Sequence, residues 1–135
     1  MGQTQILLIV LSVIIVGVAV AVGIDQFQEN ALTSNRDAVA ADCQRIISQS
    51  MQWFRKPLSL GGGGKDFTAN GGLTFAKIGV DTINENGGFG LTVTDADHIT
   101  IVGTGAETKQ DGNAVQVTIV YEASTNSFTY SDNVN

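Results

Sequence analysis

The chain has one cysteine, one proline, one histidine and one tryptophan in 135 residues. Cys43 alone cannot form an intrachain disulfide. His98 alone cannot anchor a His/Cys metal cluster, which needs several such ligands, and no Ser–His–Asp or Cys–His arrangement can be assembled around it. His98 and Cys43 are therefore read as a polar residue at a strand edge and a small packed residue. No Asn-x-Ser/Thr acceptor is present. The acids Asp81, Glu85, Asp95, Asp97 and Asp111 match no calcium-loop spacing and read as solvated turn residues. A formal charge of −6 argues against nucleic acid as a partner, since phosphate binding needs a basic face. No catalytic residue, metal ligand or cofactor site is assigned, and an enzyme is not expected.

Basic residues are also missing from the start. No Lys or Arg precedes Arg36, and no ionisable side chain precedes Asp25. From Ile6 to Ile24 the one polar side chain is Ser12. About 20 apolar residues suffice for a helix to cross a hydrocarbon core of about 30 Å, and a helix satisfies its own backbone groups there. The run is too long for a cleaved secretory signal and lacks the basic leading region. Met1-Gly2 fails as a myristoylation signal because Ile6 stands where Ser or Thr is needed. Residues 1–24 are thus expected to remain as a transmembrane or bundle-core helix.

The next stretch, 25–56, has no Gly or Pro. Phe27, Ala31, Val39, Cys43, Ile46, Ile47, Met51 and Phe54 recur mostly at steps of three or four, the helical period. Nothing at Ile24–Asp25 stops the first helix, so one helix is expected from about Gln3 to Lys56, about 80 Å long. Pro57 ends it. Ile46, Ile47, Trp53 and Phe54 are expected to anchor it to the following domain. Gly17 and Gly23 have two readings, close approach of another helix or local unwinding.

Residues 57–72 read as a Gly-rich linker, flexible or tightly turned. Gly61–Gly64 before Lys65 is not a phosphate loop, since Ser59 and Asp66 stand where Gly and Ser/Thr are required. Residues 73–135 read as a small β-rich head. Leu73–Val80 is a short strand or, preferably, one helical turn. Strands are expected at Phe89–Thr94, His98–Gly103, Ala114–Glu122 and Ser127–Ser131, with turns at Asp95–Asp97, Asp111-Gly112 and Ser124–Asn126. Leu91, Val93, Ile99, Ile101, Val115, Val117, Ile119, Phe128 and Tyr130 should share a face that must be covered, and the stripe of helix 25–56 is the large partner available. The expected fold is α+β: a long N-terminal helix packed against an antiparallel meander of three or four strands.

This plan, with a helix wholly apolar in its first half and amphipathic in its second before a small sheet, resembles the type IV pilin family. The pseudopilins of type II secretion share it. The resemblance spans the chain in architecture and is specific in the first fifty or so residues. It implies a structural subunit that enters the cytoplasmic (inner) membrane, is handled by pilus assembly machinery, and polymerises with copies of itself into an extracellular filament. It also implies a leader cut just upstream of Met1 and methylation there. Met1, Gln5, Leu7, Leu8, Leu11, Ile14, Ile15, Gly17, Gly23 and Phe27 would serve assembly. The alternative is a pseudopilin or single-pass membrane-anchored domain of a secretion or assembly machine. Three features depart from the family: Gln5 replaces its usual Glu, Val22 stands near its common proline, and its C-terminal disulfide cannot form. With Gln5 neutral, the Met1 amine is expected to bond Gln5 or backbone carbonyls of neighbouring copies. Independently of the family, bundling such helices gains on the order of tens of kcal/mol over an aqueous monomer, at roughly 25 cal/mol per Å².

Overall fold

The computed structural model describes residues 2–134. Contacts divide the chain into two compact units, one up to Ala31 and one from Leu32 onward. Helix α1 runs Gly2–Arg55. It is followed by 3₁₀ turns at Leu58–Leu60 and Ala69–Gly71, a short helix α2 at Phe75–Ile78, and five strands. These are β1 Ile83–Asn84, β2 Gly87–Val93, β3 His98–Thr108, β4 Ala114–Glu122 and β5 Ser127–Asp132. The strands form one antiparallel sheet in the order β1-β2-β3-β4-β5. The meander thus has five strands where three or four were expected. The extra one, β1, is two residues long and carries no alternation to read.

In the second unit, residues 32–55 of α1 bury Val39, Cys43, Ile46, Ile47, Ser50 and Trp53. They meet Phe89, Ile99, Ile101, Val117, Ile119 and Tyr121 of the sheet. Two mid-strand glycines set the helix-to-sheet distance. A Cβ at Gly103 would lie 2.4 Å from Val39 Cγ1 and 2.9 Å from Cys43 Sγ. At Gly105 it would lie 2.0 Å from Asn35 Oδ1. Polar residues flanking the stripe are also engaged. Asn35 Nδ2 donates to the Asn86 carbonyl at 2.9 Å, and Asp42 Oδ2 accepts from Asn84 and Asn86 at 2.8 and 2.7 Å. Ser50 Oγ returns to the Ile46 carbonyl, so its burial leaves no unmet donor.

Phe128 and Tyr130, assigned to the covered face, are exposed, Phe128 by 61%. They oppose Tyr121 and Ile119 and so share the inner side of the sheet. Their strand is the sheet edge, however, and a groove of about 270 Å³ separates Phe128 from Ile47 and Met51. Leu91 and Val93 are partly buried.

Of the two linker readings, residues 57–72 take the tightly turned one, and they belong to the compact unit. Pro57 stops α1 with ψ 149°. The glycine run then closes back on the helix end. The N–H groups of Gly63, Gly64 and Lys65 donate to the carbonyls of Trp53, Lys56 and Phe54, filling acceptors that a helix terminus leaves open. Gly63 faces the Trp53 ring where a Cβ would sit 2.6 Å away, and Trp53 Nε1 donates to the Gly61 carbonyl. Phe67, inside this segment, is fully buried and packs against Phe54 with the rings tilted by 40° and 4.6 Å between centroids.

Cys43 lies wholly inside the helix–sheet core, where burial pushes its thiol up to about 11. The reactive thiolate is thereby suppressed. A disulfide-exchange reagent is expected to leave native protein unlabelled and to label it fully in denaturant. Fast labelling of the native chain would contradict this burial.

Candidate functional site

The first unit is residues 2–31 of α1. Between Ile6 and Ile24 it presents fourteen large apolar side chains, each between 50% and 68% exposed. They include Leu7, Leu8, Leu11, Ile14 and Ile15. Gln5 and Gly17 are exposed, Gly23 is half-buried, and Phe27 is 78% exposed. Met1 lies outside the described residues. The helix is continuous through Gly17 and Gly23, so of their two readings the unwound one is not seen. A Cβ built at either glycine meets nothing within 4 Å. Ser12, the lone polar side chain of the run, donates to the Leu8 carbonyl at 2.7 Å. It therefore presents no unmet donor to an apolar surrounding.

The anchoring set lies in the second unit. Ile46, Ile47 and Trp53 are buried and Phe54 is half-buried against the same cluster. The core needs nothing from residues 2–31: its buried members begin at Val39. The apolar run is thus surplus to the folding of the head.

This helix is long and apolar enough to cross a membrane, by length and composition. Its sequence signal was strong because lack of charge over some twenty residues is legible without structure. Sequence reading missed Leu58, Leu60 and Ile83, which the structure exposes. Single apolar residues among glycines and turn residues carry no periodicity.

Elsewhere the chemistry is sparse. Among the described residues no group of three or more His, Cys, Asp and Glu is placed to hold a metal ion. His98 Nδ1 lies 2.8 Å from Asp95 Oδ1, and Nε2 lies 3.8 Å from Glu122 Oε1. Asp95 Oδ1 also accepts from the N–H groups of Asp97 and His98, which closes the β2–β3 turn. The hydrogen bond to Asp95 raises the His98 pKa above 6.5, and the same bond lowers that of Asp95 below 3.8. The His98 contribution to stability is full below 6.5 and fades as pH rises through its raised value. The Asp95 contribution is present above 3.8 and fades as pH falls through its lowered value. The pair thus helps most between those limits, and weakly, because it is exposed. Asp95→Asn is expected to bring the His98 titration midpoint back toward 6.5 by NMR. An unmoved midpoint would remove Asp95 as the cause.

No protein-family model, curated protein or solved structure matches the chain.

Proposed function

We propose that this chain is the structural subunit of an extracellular helical filament, with residues 1–24 in the core and the β-sheet head outside. The observation that carries the reading is the apolar run exposed on every side of α1 beside a head whose core is complete without it. An amphipathic helix needs one partner along one stripe, whereas a helix apolar all round must be surrounded. Lipid can surround it before assembly, in the cytoplasmic membrane, and the same helices of neighbouring copies can do so afterwards. Gly17 and Gly23 would admit close neighbours, and Leu7, Leu8, Leu11, Ile14, Ile15 and Phe27 would fill the space between helices. A contact that repeats without closing yields a filament. The plan is similar to that of type IV pilins, which supplies leader cleavage, Met1 methylation and dedicated assembly machinery as further expectations.

The experiment is to shear cells that produce the chain and to image the released material by electron microscopy. Fibres built mainly of this chain are expected. Recovery only with membranes would replace the filament by the single-pass anchored, pseudopilin-like alternative.

A further inference from the structure

The seven Lys and Arg residues fall into two groups. Arg36, Arg45 and Lys109 each face an acid of the chain, Asp37 at 2.9 Å, Asp42 at 3.7 Å and Asp111 at 3.2 Å. Arg55, Lys56, Lys65 and Lys77 are exposed, and among the described residues none of them is in an ion pair. All four gather at the C-terminal end of α1. Lys65 donates its N–H to the Phe54 carbonyl, and Lys56 and Lys77 line one groove beside Trp53. The single acid in this segment, Asp66, is engaged by Thr68. Capping of the helix does not account for the cluster, because backbone N–H groups already fill the terminal carbonyls. Between these cations the 3₁₀ turn exposes Leu58 and Leu60 by 55% and 65%.

The first unit carries the complement. Asp25 and Glu29 are exposed, one helical turn apart on one face, and among the described residues neither is in an ion pair. No basic side chain precedes Arg36, and Arg36 is held by Asp37. The same face continues toward the N-terminus through Val22 and Val18, at steps of three and four, both exposed.

We propose that the basic, leucine-bearing tip formed by Arg55, Lys56, Lys65, Leu58 and Leu60 docks on the Val22–Asp25–Glu29 face of a second copy of this chain. The inference rests on the filament reading and gives that assembly its head-to-tail contact. Charge is complementary, two acids against three cations, and each patch brings apolar side chains to cover the pairs. Like charges placed together would oppose the contact strongly.

The test uses the full chain and counts sheared filaments. Reversal of the acids (Asp25→Lys with Glu29→Lys) is expected to cut the yield by at least about tenfold, the effect of 1.4 kcal/mol. Reversal at the tip (Arg55→Glu with Lys56→Glu) should do the same, and all four changes together should restore most of the yield. Head melting, followed in parallel, should stay at the wild-type value. A Val22→Cys, Leu58→Cys chain should give a ladder of covalent multimers on oxidation, since Cys43 is buried and inert. Wild-type filaments with no ladder, or with full yield after either reversal, would overturn this contact and leave the filament standing. Loss in both reversals without recovery in the fourfold variant would also overturn it. Absence of wild-type filaments would overturn both.

Discussion

Ile15→Asp is expected to leave the head folded and to abolish filaments. Ile15 is 59% exposed, in the middle of the apolar run, and no part of the head core. Its replacement therefore removes no contact on which the sheet depends, and the head should melt as before. In the surroundings proposed for the helix the effect is large. An acid at the centre of a membrane helix costs on the order of 3 kcal/mol, about a hundredfold in an equilibrium. Bundled helices offer little relief, because the first 24 residues hold no Lys, Arg or His side chain to pair with the carboxylate. Ile15→Val keeps the chemistry and should assemble normally. The measurements are filament yield by microscopy and head melting by circular dichroism. Normal fibres from Ile15→Asp would end the proposal that this segment is the core.

Gly103→Val should do the opposite: it should disrupt the head. The position is fully enclosed, with Val39 Cγ1 2.4 Å, Cys43 Sγ 2.9 Å and Phe89 Cε1 3.2 Å from the first added carbon. Val39 and Cys43 are short, fully buried side chains on a helix held at both ends of its stripe, by Asn35 and by Trp53. Neither can swing aside, so the helix must lift from the sheet. Overpacking of this kind costs about 3 kcal/mol, and for a domain of this size the melting temperature should fall by about 12–24 °C. Val39→Ala in the same chain should recover part of the loss, since the two sites share one contact. Thr104→Val, on the opposite face of β3, should change little. An unchanged melting curve for Gly103→Val would mean that the helix does not lie on β3 as described.

These two residues also mark how far the sequence can be read. Ile15 is legible because its whole neighbourhood is apolar and uncharged. Gly103 is not, because a glycine in a strand looks like a weakness until a helix is seen resting on it. Phe67 was hidden for a related reason: it sits among glycines and turn residues, and its burial comes from Phe54 and from Tyr121, whose ring lies 6.3 Å away. Phe128 and Tyr130 show the reverse error. Their alternation is real, and they do point to the inner side of the sheet, yet the edge position of β5 leaves them uncovered.

The sequence by itself determined the apolar start, the amphipathic continuation, the stop at Pro57 and the alternating strands, because each depends on neighbours along the chain. The tertiary structure alone decided which strand lies at the edge, which glycines admit the helix, that the glycine run folds back on Trp53, and that four cations gather at one tip. Burial and charge clustering depend on what lies opposite in space, and strand order and helix placement are global properties that no local pattern encodes.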